Sequence, residues 1–238
     1  MRGNPNKSRR AEKSYARSLR KIADQVGHLI GVYPPGDPSS VPAIMQMLQK
    51  YAEALDVWAL RTASAMVAEV ENRDRKAWMA AAAEMSVELR REIQTAPTGE
   101  IMQALLSEQV TLIKSIPLDA AKRVHELTLQ GLEDSSRGSE IVAEIMRSGE
   151  VAIGRANLIA RTETARTASV LTQARATHIG SEGYIWRTAG DSDVRHSHKE
   201  MNGKFVRWGD PPTLSDGTTT HAGQIYNCRC YPEPVLPE

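Results

Sequence analysis

"RATHIGSEGYIWRTA", residues 175–189, is where this chain changes character. As far as His178 the residues suit a helix. "GSEG" then stops it, because glycine loses more backbone freedom on entering a helix than any other residue. From Gly183 the pattern has a period of two. Tyr184 and Trp186 fall on one side, Ile185 and Arg187 on the other, as in a strand. The stretch therefore divides the chain into a helical part before Gly180 and a part with strands after it.

Upstream, apolar residues recur at helical spacing almost throughout. Leu19, Ile22, Val26, Leu29 and Ile30 mark a first helix. "VYPPGDPSS" (Val32 to Ser40) breaks it, with Ser39 or Ser40 placed to cap the next. Ile44, Leu48, Tyr51, Leu55 and Trp58 share a second face, and Asn72 to Asp74 mark a bend or a break. "KAWMAAAAEMSVELRREI" has high helix propensity, and "QTAPTGE" ends it. Pro117 suits the first turn of a further helix, with Ser115 as its cap. "EDSSRGS" reads as a loop. In "EIVAEIMRSG", Ile141, Ile145 and Met146 face inward and Gly149 is the residue just past the helix. A long helix covers about Val151 to His178.

Aromatic residues make up 5% of the chain, and Phe205 is the single phenylalanine. The core must then be built from aliphatic residues, which favours packed helices over a sandwich of strands. The expected fold is mainly α: a long helical N-terminal section, then a small α+β C-terminal module. Residues 1–114 are expected to form a helical assembly section, and 115–238 a second domain with helices over 115–180 and the α+β module over 181–238.

Within that module "GDSDVRHSHKEMNG" reads as a short helix that starts at Asp191 or Ser192 and ends before Gly203. "KFVRW" is a second strand, and "QIYNCRCYPEPV" a last strand ended by prolines. A module this small has a limited core and gains from a partner, a metal or a neighbouring domain.

The net charge is +1, so nucleic-acid binding must come from local charge. Arg9, Arg10, Lys13, Arg17, Arg20 and Lys21 supply it, with Arg2 and Lys7 before them and one acid, Glu12, among them. Such a run is commonly a solvated face. The sharper expectation is an arm that contacts double-stranded DNA or an acidic protein surface. No apolar run is long enough to span a membrane, and "MRGNPNKSRRAEKSYARSLRK" lacks the apolar stretch of a secretory signal.

The two cysteines, Cys228 and Cys230, lie at i and i+2. On an extended strand both would point one way, with Arg229 opposite. His196, His198 and His221 are the nearby imidazoles. His198, His221, Cys228 and Cys230 would make a tetrahedral zinc set, although C-x-C is a weaker signal than C-x₂₋₄-C. On a helix His196 and His198 lie about 200° apart, so one of them, His198 with Val194 and Met201, turns inward. The bland alternative is that the cysteines are small buried hydrophobes and His198 satisfies a backbone or carboxylate group. A thiol enzyme using Cys228 or Cys230 with His198 or His221 and Asp191 or Asp193 has the right residue types but no supporting spacing.

Three blocks together resemble a known family. "ANLIARTETARTA" (Ala156 to Ala168), "WRTAGDSDVRHSHKEMNG" (Trp186 to Gly203) and "NCRC" (Asn227 to Cys230) are similar, in order and spacing, to the phage Mu F-like minor head proteins. The matching positions are Arg161, Thr162 and Glu163; Trp186, Thr188, Asp191, Val194, Arg195, His198 and Gly203; and Cys228, Arg229 and Cys230. The segment "HAGQIYN" departs from the family, whose members often carry prolines there. The resemblance implies a minor structural protein of a tailed-phage head, located in the virion and, during assembly, in the cytoplasm of the bacterial host. Its implied partners are the portal protein and other head proteins, in morphogenesis and DNA packaging or ejection. Binding rather than turnover is the expected work, with no membrane and no small-molecule substrate. No cofactor is implied, zinc being the one candidate. Asp191, Arg195 and His198 are then most simply a structural network. The rival readings are a zinc- or thiol-dependent hydrolase using His198, Cys228 and Cys230, and a free-standing DNA-binding module.

Overall fold

The computed structural model describes residues 9–34, 37–82, 86–133 and 138–237. Arg2, Lys7 and the middle of the "EDSSRGS" loop lie outside the described residues. The helices are α1 (Arg9–Gly31), α2 (Val41–Ala54), α3 (Asp56–Ala81), α4 (Val87–Thr95), α5 (Thr98–Glu133), α6 (Gly138–Met146), α7 (Ser148–His178) and α8 (His196–Lys199). A turn of 3₁₀ helix, Pro38–Ser40, precedes α2. The strands are β1 (Gly183–Arg187), β2 (Phe205–Arg207) and β3 (Tyr231–Pro234), in one antiparallel sheet with β1 in the centre. The chain is thus mainly α with a small α+β module at its C-terminal end. Among the described residues no helix is long and apolar enough to cross a membrane.

Helix boundaries follow the sequence closely at α1, α2 and α7 and depart from it in four places. First, α3 passes straight through Asn72 to Asp74. The breaks come instead at Leu55 and before Ser86, whose hydroxyl accepts the Leu89 N–H at 3.2 Å and caps α4. Second, α5 is unbroken across Pro117. Ser115 is no cap: its hydroxyl donates to the Leu112 carbonyl at 2.9 Å. A proline inside a helix costs about 3 kcal/mol. Burial of Ile113, Ile116 and Val124 on the two sides offsets it, at roughly 1.5–3 kcal/mol for each large apolar side chain. Third, Gly149 lies within the first turn of α7, and Met146 is exposed. Fourth, neither Ser39 nor Ser40 caps α2 with its side chain. Asp37 takes the Ser39 N–H and both hydroxyls, which holds its carboxyl below the usual range.

The chain forms two compact units, each assembled from separated segments: residues 1–12, 65–106 and 161–238 in one, 13–64 and 107–160 in the other. This differs from a sequential division at 114/115, which falls inside α5. The division instead cuts α1, α3, α5 and α7, each of which gives residues to both units.

In the second unit, Leu19, Ile22 and Val26 of α1, Leu48 of α2, Ile113 and Val124 of α5 and Ala156 of α7 are fully buried or nearly so. Tyr15 adds a buried hydrogen bond, its hydroxyl donating to Gln109 Oε1 at 3.0 Å. Gly27 and Gly149 allow α1 and α7 to touch: a Cβ on Gly149 would lie 2.8 Å from the Gly27 Cα.

The first unit holds the sheet. Tyr184 and Trp186 on β1 are fully buried, as the alternation predicts, against Trp78 of α3, Ile93 of α4, Ala176 of α7 and Trp208. Gly183 pairs with Arg207 across β1 and β2, so closely that any Cβ would strike the Val206 carbonyl. Gly180, with a positive φ of 82°, ends α7 and lets the Ser181 N–H return to the Ala176 carbonyl at 2.9 Å.

Candidate functional site

The helix expected from Asp191 is only the four residues of α8, and it begins after Arg195. Short as it is, it sorts the two histidines as the helical offset requires. His196 points out, with 86% of its side chain exposed, while His198 is 2% exposed. Val194 and Met201 join His198 on the inner side.

The last strand is also shorter than expected. Tyr231 starts β3, so Cys228 and Cys230 precede it and are not strand neighbours. The chain turns here instead. Asn227 has a positive φ of 54°, and the Cys228 N–H returns to the Ile225 carbonyl at 3.2 Å. Asparagine tolerates this left-handed conformation better than most side chains. The turn presents both sulfurs to His198.

Both sulfurs meet one ring nitrogen. His198 Nδ1 lies 3.3 Å from Cys230 Sγ and 3.4 Å from Cys228 Sγ, and the three ligand atoms lie within 4.8 Å of one another. The Cys230 N–H donates to Cys228 Sγ at 3.4 Å. All three side chains are buried. The hydrogen bond from the Cys230 thiol holds Cys228 below the ordinary thiol range, with His198 adding to the effect against burial. The same bond and burial push Cys230 above that range. The Trp186 indole N–H favours a charged Cys230 sulfur but makes no hydrogen bond of normal geometry.

The other matching blocks hold this turn in place. Arg161 Nη1 donates to Asn227 Oδ1 at 3.0 Å, and the Asn227 N–H donates to Thr162 Oγ1 at 2.9 Å. Glu163, buried beside them on α7, pairs with Arg166 at 3.4 Å. Arg229 spans two carboxylates, Asp191 at 2.7 Å and Asp193 at 2.6 Å. Arg195 donates to the Tyr226 carbonyl at 3.1 Å and lies over its ring. Thr188 takes Asn202 Oδ1 on its N–H, and Gly203, with φ of 85°, brings its own N–H to the Trp186 carbonyl at 2.8 Å. Asp191 is therefore a partner of Arg229 and not a helix cap.

His221 stands outside the cluster. Its Nδ1 faces the Tyr184 hydroxyl at 3.1 Å, and burial pushes its imidazole below the usual range. That hydroxyl in turn accepts the Ala222 N–H at 3.1 Å. Gly223, with φ of 82°, keeps this loop close to the Cys230 carbonyl, where a Cβ would approach to 3.0 Å. A surface cavity of 410 Å³ lies nearby, lined by Thr188, Gly190, Asp191, Ser192, Val194, Lys199 and Asn202, and by neither cysteine.

Arg9, Arg10, Lys13, Arg17, Arg20 and Lys21 are all exposed. By helical periodicity they occupy an arc of about 120° on α1, with Asp24 the next acid on that side. Arg20 also contacts Asn157 Oδ1 at 3.2 Å.

One buried group escaped the reading of the sequence. Arg175 of α7 is 3% exposed at its side chain and pairs with Asp74 and, at 2.7 Å, with Glu71, both of α3. Thr172 donates to Asp74 Oδ1 at 2.6 Å. The signal was present: Val70, Asp74 and Trp78 are spaced i, i+4, i+8, so a carboxylate sat on an apolar face.

Comparison with known proteins agrees with the motif blocks. Residues 122–232 match the family described as Phage Mu protein F like protein. An uncharacterized protein of Haemophilus influenzae is 34% identical over 137 residues, which cover 58% of this chain and 30% of that relative. The chain thus spans about a third of the relative's length. No solved structure matches. The sequence match and the three blocks gathered around Asn227, Cys228 and Cys230 agree: residues 122–232, just under half of this chain, are similar to the phage Mu protein F-like family.

Proposed function

We propose that this chain is a minor structural protein of a tailed-phage head, that it acts in head morphogenesis, and that its work is binding rather than turnover. It resides in the virion and meets the portal vertex during assembly, in the host cytoplasm. The observation that carries this reading is the use to which the family's motif residues are put. Arg161, Thr162, Arg195 and Arg229 bind side-chain amide, backbone or carboxylate groups of the module itself. None of them frames a cleft around the thiols. Cys228, Cys230 and His198 are 2–3% exposed, so a substrate would have no path to the groups a hydrolase would use. A network spent on internal contacts is what a scaffold module needs.

The basic arc of α1 gives the proposed contact surface, either for packaged or transiting double-stranded DNA or for an acidic face of the portal. Co-expression with a portal ring and purification through a tag on the ring tests the main reading. Retention of the chain in fixed proportion to the ring is expected; its loss in the wash at moderate salt overturns the portal role. For DNA, binding should weaken steeply with salt, since each phosphate contact releases counterions. Neutralising Arg9, Arg10, Lys13 and Arg17 should flatten that dependence. DNA binding with an unchanged salt slope would remove α1 from the interface.

A further inference from the structure

We propose that His198 Nδ1, Cys228 Sγ and Cys230 Sγ bind one Zn²⁺ ion, which fastens the C-terminal module as a structural staple. The inference is independent of the phage-head reading and rests on four observations.

The first is valence. A neutral imidazole nitrogen carries one proton or one lone pair, which a well-aligned hydrogen bond directs at a single partner. Here two sulfurs converge on the same Nδ1, at 3.3 and 3.4 Å. A hydrogen bond accounts for one of these approaches. A cation held in common accounts for both.

The second is size. Zinc binds sulfur at about 2.3 Å and nitrogen at about 2.0–2.1 Å, so adjacent corners of its tetrahedron lie about 3.5 Å apart for N and S. The two nitrogen–sulfur distances fall within about 0.2 Å of that edge. Three such donors fill three of the four corners.

The third is charge. Two thiolates and a neutral imidazole around Zn²⁺ sum to zero, which suits a site whose ligands are all buried. Two thiolates and an imidazole are also the soft donor set that favours zinc over magnesium or calcium.

The fourth is support. The Cys230 N–H already points at Cys228 Sγ, and such donors stabilise metal-bound thiolates. Arg161 and Thr162 fix Asn227 on one side of the pair, and Arg229 between the cysteines is fixed to Asp191 and Asp193. A metal site needs its ligands held in place this way. With Nδ1 on the metal, the His198 proton would sit on Nε2, which meets no acceptor among the described residues.

The test uses the full chain, purified without chelator from zinc-supplemented cells. Elemental analysis should give about one zinc per chain, as buried structural sites retain their metal through purification. Titration of the metal-free chain with Co²⁺ alone should give a thiolate-to-cobalt charge-transfer band, displaced by Zn²⁺. Cys228→Ser and Cys230→Ser should each abolish the band, and His198→Ala should alter or abolish it. His221→Ala should keep full zinc content, because His221 faces Tyr184 and not the sulfurs. Should the cysteine variants fail to fold, the wild-type zinc content and cobalt spectrum decide alone. Zinc below about a tenth of an equivalent together with no cobalt–thiolate band overturns the proposal, as does full zinc content that is lost only with His221.

Discussion

Asp74 shows how a single buried charge sets conditions for the fold around it. Burial pushes its carboxyl up to about 6 from an ordinary 3.8, against the pull of Arg175 and of the Thr172 hydroxyl. A folded-state value above the unfolded one means that the native state binds the proton more tightly. The stability this gives is fully present below pH 3.8 and is lost as the pH rises through 6. A shift of this size corresponds to about 3 kcal/mol. Asp74→Asn keeps the shape and removes the titration. The stability of the wild type minus that of the variant should therefore fall by about 2 kcal/mol between pH 4 and pH 7, read from urea unfolding at each pH. A constant difference would show that Asp74 does not titrate in this range. At this scale the sequence was legible wherever geometry depends on helical offset alone, which is why His198 could be separated from His196. It was illegible where a turn decides. A positive φ at Asn227 turns the chain so that both sulfurs face His198, and nothing in the spacing of C-x-C announces it.

Between elements, the Gly27 and Gly149 pair makes an asymmetric prediction. A Cβ on Gly149 would come within 2.8 Å of the Gly27 Cα, which is backbone and cannot swing aside. A Cβ on Gly27 would sit 3.4 Å from the Gly149 Cα, ordinary contact. Gly149→Ala should therefore cost about 1–3 kcal/mol by forcing α1 and α7 apart. Gly27→Ala should be neutral, or stabilise by up to about 1 kcal/mol, because alanine loses less backbone freedom in a helix. Thermal unfolding of the two variants checks the order, and equal losses would mean that the helices do not meet at these glycines. Reading Gly149 as a helix end went wrong for a related reason. Glycine serves both to end helices and to let them touch, and local sequence does not distinguish the two. Pro117 misled in the same way, since its local penalty was outweighed by burial that only the tertiary structure reveals.

For the whole chain, the family match and the compact units do not share boundaries, and this has a measurable consequence. Residues 122–232 carry the family's motif, but the unit that contains the motif also takes residues 65–106. Those residues supply Trp78, fully buried against the sheet, and both carboxylates that pair with Arg175. A fragment of residues 115–238 would lose the tryptophan, at about 3–5 kcal/mol by analogy with large-to-small core changes. It would also lose both carboxylates that pair with Arg175 and open that side chain to water. The loss of the tryptophan alone approaches the stability of a marginal domain, about 5–15 kcal/mol being the ordinary range. The fragment is therefore expected to lack a cooperative thermal transition and to lose the near-ultraviolet dichroism of Trp186 and Trp208. Adding residues 1–114 as a separate chain should restore part of both, since the missing partners return with α3. The proposed zinc ligands His198, Cys228 and Cys230 lie wholly within the fragment, so the experiment is run with and without Zn²⁺. Recovery of a cooperative melt with Zn²⁺ alone would show that metal ligation, and not the packing of Trp78 and the Arg175 carboxylates, holds the module together.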